Sequence, residues 1–203
     1  MATLQPHVDR YAILAFERQL HAYDVIGEAS WWVNLDTGTI VFGRELEMGA
    51  GLLGTEAAGT WVWGWANPGG FPEPVVAAGR AAGDYGREHD LPTLYEPESV
   101  LSDDVSLDRI GLVASGALGL PATYTGPLDE DARILLALDH PALALPPPDP
   151  LRTVTVISTV LQAGCVADWA AALAAYAEQR TLDGVDVELD ALGRVAAIRS
   201  QTG

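Results

Sequence analysis

The stretch "GTWVWGWANPGG" occupies residues 59–70, with Trp61, Trp63 and Trp65 in strict alternation ahead of a turn of Asn67, Pro68, Gly69 and Gly70. Alternation at period two puts the three indoles on one face of a strand, with Val62, Gly64 and Ala66 on the other. A Trp- and Val-rich segment suits a half-buried pleated surface. Read as a strand, the stretch is the return arm of a hairpin, and the rest of the chain arranges itself around it.

The outgoing arm lies in "ELEMGAGLLGTEAAGTWVWGWAN" (45–67). Before it, "SWWVNLDTGTIVFG" (30–43) reads as a first hairpin, turning at Asp36, Thr37 and Gly38. "ATYTGPLDEDARILLALDHP" (122–141) reads as a third, with "GPLDED" as its turn, and "VDVELDALGRVAAIRS" (185–200) as a last. Between them stand helical segments. Residues 8–26 carry apolar groups at helical spacing and stop at Gly27. Helices are expected from about Pro74 to His89, over 105–119, and in "VADWAAALAAYAEQR" with Asp168 as its cap. Residues 91–104 read as irregular or a short edge strand. "ALALPPPDP" (142–150) is a Pro-rich connection. Beyond it, 152–161 is ambiguous: β-branched residues favour a strand and the spacing of Leu151, Val154, Ile157, Val160 and Leu161 favours a helix. The predicted fold class is α+β, an antiparallel sheet of consecutive hairpins, about six strands, packed by helices on one face. One α+β domain over 1–203 is expected, the region after the connection joining the same body.

Composition narrows function by exclusion. The chain has 203 residues, 49% of them hydrophobic, which is ample for a core. Its net charge is −17, all eleven basic residues are Arg, and Lys is absent. Such acidity argues against nucleic acid or an anionic membrane as partner. It fits solubility or a basic protein partner. The lysine-free composition suggests a GC-rich bacterial genome. No segment has the form of a signal peptide or a membrane span, so a cytoplasmic setting is expected. Cys165 is the one cysteine, in an apolar setting without a nearby base, and reads as a small buried hydrophobe.

No catalytic constellation emerges. "GAGLLG" (49–54) matches the spacing of a dinucleotide loop, but a strand follows it where that loop needs a helix. It reads as small residues in a strand or a bulge. His7, His21, His89 and His140 show no metal-ligand spacing, and no Ser lies in a nucleophile elbow. No cofactor and no metal is expected. Asp139 and His140 could form an Asp–His contact, against the plainer reading of a turn before Pro141. The Trp row is either core or the wall of a cleft with Asn67 at its mouth, and Trp31 or Trp32 could join it through cross-strand contact. Buried indoles need partners, so some of the rings should reach polar groups. The candidate binding residues are therefore Trp32, Trp61, Trp63, Trp65, Asn67, Asp139 and His140.

"ASWWVNLDTGTIVFG", "LLGTEAAGTWVWGWANPGG" and "PEPVVAAGRAAGDYG" together resemble a bacterial domain of unknown function, the family numbered 6882. "LVASGALG", "ATYTGP", "AALAAYAEQR" and "LDALGRV" also look like it. The resemblance supplies no activity. It implies only that Trp32, Gly54, Thr55, Trp61, Trp63, Trp65 and Asn67 define the family pattern. Two functional classes follow: an acidic, non-enzymatic interaction protein, or a small-molecule pocket protein or enzyme with a Trp-lined cleft.

Overall fold

A computed structural model describes residues 3–201. Helix α1 spans Gln5–Ile26, with Pro6 in its first turn and Gly27 at φ 63° closing it. The two hairpins that follow are β1 (Trp31–Asn34) with β2 (Thr39–Phe42), then β3 (Leu46–Ala57) with β4 (Thr60–Trp63). Helices α2 (Glu73–Glu88) and α3 (Pro92–Tyr95), edge strand β5 (Glu98–Val100) and α4 (Leu107–Leu118) come next. The hairpin of β6 (Ala122–Pro127) and β7 (Ala132–Asp139) completes a seven-stranded sheet. Every pairing in it is antiparallel.

Strand β3 organises that sheet. β7 runs along one edge of it, from Gly49 opposite Asp139 to Ala57 opposite Ala132. The other edge is shared: β2 covers Leu46–Gly49 and β4 covers Gly54–Ala57. The "GAGLLG" run lies in the middle of this strand, and the pairing with β7 slips between Leu52 and Gly54. That bulge leaves Leu53 without a partner in β7, and Gly54, opposite Trp63 on β4, lies beneath the Trp61 ring. A Cβ on Gly54 would stand 2.5 Å from Trp61 Cζ2. The β3–β4 turn is two residues long, Ala58 at φ 49° and Gly59 at φ 76°, the double positive φ of a type I′ hairpin.

The two faces of the sheet build two cores. On one, Leu53, Trp61, Trp63, Leu135 and Ala137 pack against Ala82 of α2 and against Leu107, Ile110 and Val113 of α4. The helices approach closely where side chains are small: Gly51 faces Val75 and Ala78, and Gly111 faces Leu135. On the other face, Ile40, Phe42, Met48, Leu52, Leu136 and Leu138 gather with Trp31 and Tyr124. Trp31 belongs to β1 and Tyr124 to β6, four strand spacings apart, which in a flat sheet is roughly 19 Å. Their ring centroids are 5.4 Å apart, so the sheet is strongly coiled and its inner face closes on itself. Helices α2 and α4 pack the first face, and the inner core, closed largely by the sheet itself, also takes Ala22, Val25 and Ile26 from the end of α1 and Val75 from the start of α2.

Past the connection, α5 (Pro150–Ala163) and α6 (Trp169–Gln179) pack on α1 in a third cluster through Ile13, Val156, Ile157, Val160 and Tyr176. The ambiguous segment 152–161 is helix. Asp149 caps it, with Pro150 at its first turn, and three hydroxyls bond back to carbonyls one turn earlier. Strands β8 (Val185–Leu189) and β9 (Val195–Ser200) form a separate two-stranded sheet beside α5. The terminal hairpin does not extend the main sheet.

Two expectations about the Trp row need correction. β4 ends at Trp63, and Trp65 lies in a 3-10 turn over Gly64–Ala66. The chain leaves the sheet there because Gly64 crosses β3 closely: its Cβ would lie 2.7 Å from the Leu52 carbonyl. Neither Trp31 nor Trp32 joins the row. Trp31 lies in the inner-face core, and Trp32, on edge strand β1, is 55% exposed.

Candidate functional site

Trp61 and Trp63 are fully buried and meet edge to face, their centroids 5.3 Å apart. The Trp63 Nε1–H donates to the Thr93 carbonyl at 2.9 Å, tying α3 to the sheet. Trp61 Nε1 and Trp65 Nε1 are buried without a partner among the described residues. Trp61 and Trp63 are core, and half-buried Trp65 packs against the same cluster. Asn67 is half-buried, and its Oδ1 accepts from Gly69 N, which shapes the turn. At the opposite end of β3, Asp139 is exposed and His140 Nδ1 accepts from Ala142 N, starting a short 3-10 turn. Five residues of β3 separate Gly49, paired with Asp139, from Gly54, paired with Trp63. At ~3.3 Å per residue that is about 17 Å, so the structure does not bring the sequence-derived candidates into one site.

It builds a cleft elsewhere. A cavity of about 560 Å³ opens where α1, the first turns of α4, strand β6 and the end of α5 meet. Phe16, Leu112 and Leu135 supply apolar wall, and Ser106, Thr123 and Thr125 supply hydroxyls. Arg109 is the cation of the lining, and Cys165 and Gly164 form the wall beyond α5. This volume and mixture of surfaces are those of small-molecule sites.

Arg109 is held from behind. Its Nη1 donates to Gln5 Oε1 at 2.7 Å, while Gln5 Nε2 donates to Asp9 Oδ1 at 2.8 Å and to the Cys165 carbonyl at 2.9 Å. Asp9, itself buried, also accepts from Ala167 N at 2.8 Å. The network links α1, α4 and the 165–167 segment, so the guanidinium is positioned rather than free. Burial pushes the Cys165 thiol up; nearby Arg109 opposes that and Asp9 adds to it. The cysteine is therefore a protonated wall residue, not an activated nucleophile.

A second polar cluster escaped the sequence reading. His7 Nδ1 lies 2.6 Å from Tyr85 Oη, Tyr85 stacks on His89 at 4.0 Å, and Tyr11 Oη stands 3.5 Å from Tyr85 Oη. Burial, then His89 and Arg10, pushes His7 down, and burial pushes the Tyr85 hydroxyl up. Both groups are neutral near pH 7, and the cluster joins α1 to α2 without bordering the cleft. Among the described residues no group of three or more His, Cys, Asp or Glu could hold a metal. No helix there is long and apolar enough to cross a membrane.

The architecture is thus an α+β protein with a coiled antiparallel sheet, helices packed against it and a mixed-polarity cleft beside it. The chain belongs to the family of unknown function DUF6882, whose model matches residues 5–141. The match covers α1 through β7 and stops at the Pro-rich connection. The pieces at 171–180 and 189–195 that resembled the family lie outside it. Three walls of the cleft therefore come from the matched stretch, and the fourth, Ala163–Cys165, does not. No curated protein and no solved structure matches the chain.

Proposed function

We propose that this protein binds a small molecule in the cleft between α1, α4, β6 and Cys165. The observation that carries the reading is the cavity of about 560 Å³ with apolar walls, hydroxyls and one positioned cation. This moves the pocket away from Trp61 and Trp63, which are buried in the core. The test is a thermal-shift screen of a metabolite library against wild type and a Leu112→Trp variant that fills the cleft. A ligand present at 100 times its Kd adds about 2.7 kcal/mol of stability, a readable shift. Hits that stabilise wild type and fail on the filled variant support the reading. A library without hits, or hits indifferent to the filled cleft, overturns it.

The other reading, an acidic interaction protein with a basic partner, is supported by the net charge of −17. A partner captured at low salt and released at high salt would favour it. The single cysteine and lysine-free composition support a bacterial, cytoplasmic setting for either reading.

A further inference from the structure

We infer that the cleft is selective for a small organic monocarboxylate with an apolar body, its carboxylate received by Arg109. The inference rests on the cleft being a binding site and adds the chemistry of its occupant. Its first support is an anomaly of pairing. The chain holds 28 acidic residues to 11 arginines, so carboxylate partners are plentiful. Among the described residues Arg18, Arg44 and Arg109 are the arginines that take none. Arg44 is exposed in a turn, and Arg18 gives its Nη1 to the Ser115 carbonyl at 3.2 Å. Arg109 alone of the three lines the cavity.

Its second support is the way Arg109 is held. The acceptor on its Nη1 is the neutral Gln5 side-chain oxygen, not a carboxylate. One donor is thus used for positioning, and among the described residues no carboxylate forms an ion pair with the guanidinium. The nearest acid of that network, Asp9, is engaged by Gln5 and by Ala167 N. A guanidinium fork presents further donors suited to a carboxylate. The positive end of α4, whose first turn lines the cleft, adds to it.

The rest of the lining sets the remainder of the ligand. Phe16, Leu112 and Leu135 offer apolar surface for a body, and Thr123 and Thr125 offer hydroxyls at its side. Asp108 stands exposed on the same rim. With Arg109 as the one cation of the lining and Asp108 beside it, in a protein of charge −17, the cleft is too poor in positive charge for the two negative charges of a phosphate monoester.

The test uses 4-phenylbutyrate and octanoate as probes, each against its own primary amide, by calorimetric titration of the full chain. Wild type should bind each acid roughly ten- to hundred-fold more tightly than its amide, the worth of a charge-assisted hydrogen bond. Arg109→Gln should erase that preference while its melting temperature stays near wild type. Arg109→Lys, which keeps the charge and loses the fork, should retain part of it. Equal binding of acid and amide in wild type, with Leu112→Trp still blocking both, overturns the inference and leaves the cleft reading standing. So does silence from both probe series when the library screen yields hits that depend on an unfilled cleft. A preference that survives Arg109→Gln overturns it as well.

Discussion

Replacing Glu17 should release the C-terminal helices from the body of the protein. Glu17 is 2% exposed on α1 and accepts from Arg180 Nε and Nη2 at 3.0–3.2 Å and from the Tyr176 hydroxyl at 2.9 Å. Both partners lie at the end of α6, and Arg180 Nη2 also reaches the Pro146 carbonyl in the connection. Three segments therefore meet on one carboxylate. Removing one member of a buried pair typically costs ~3–5 kcal/mol. The Arg180 side chain keeps 15% exposure and its Pro146 partner, which puts Glu17→Ala near the lower end, at about 3 kcal/mol. The loss of the acceptor for Tyr176 is part of that figure, not additional to it. At ~2–4 °C per kcal/mol for a chain of this size, the melting temperature should fall by roughly 6–12 °C. Glu17→Gln keeps the volume and one acceptor and should lose less. Hydrogen exchange gives the location: α5 and α6 should exchange faster while β3 and β7 keep their protection. A loss under about 1 kcal/mol, the worth of a surface pair, would refute the reasoning. So would uniform acceleration across the sheet.

Three further outcomes are expected. Gly54→Ala places a methyl against the Trp61 ring and the Val62 carbonyl and should cost about 1–3 kcal/mol in urea unfolding, with Gly83→Ala as a control whose Cβ would meet neighbours no closer than 3.5 Å. The Arg133 hydrogen bond at 2.8 Å holds the Glu56 carboxyl below its usual value, so Glu56 stabilises the fold fully above the ordinary glutamate range and less as pH falls through it. The advantage of wild type over Glu56→Gln should therefore shrink between about pH 5 and pH 3, and an advantage that grows on acidification would contradict this. Cys165 should alkylate with a midpoint above the ~8.5 of a free thiol, and Arg109→Gln should move it higher still by removing a cation that favours the thiolate. An unchanged midpoint in that variant would mean the guanidinium does not face the sulfur.

Much of the fold was legible because hairpins announce themselves locally. Period-two alternation marked β1 and β4, turn residues marked the hairpins at 36–38 and 126–131, and the glycines of 49–54 gave a bulged strand rather than a phosphate loop. The Trp row extends one tryptophan past the strand. Trp65 keeps the alternation in sequence, but the contact of Gly64 with β3 turns the chain, and that contact depends on Leu52, twelve residues earlier. The 152–161 segment was ambiguous because its β-branched residues pull toward a strand. The Asp149–Pro150 start that decides for helix reads, in sequence, as the end of a proline run. The cleft had no local signal at all. Phe16, Arg109, Thr123 and Cys165 are brought together only by α1 packing across α4 and receiving the 163–165 segment, and no motif spacing joins them. Arg109 could have been suspected only by asking which arginine of an acidic chain lacks an acid.

The most direct measurement is an amide chemical-shift titration of the labelled full chain with 4-phenylbutyrate. The account predicts saturable shifts concentrated at residues 106–112, 123–125 and 163–165, around the walls of the cleft. Shifts that gather instead at the Trp61–Asn67 turn, or scatter over the acidic surface without saturating, would contradict it.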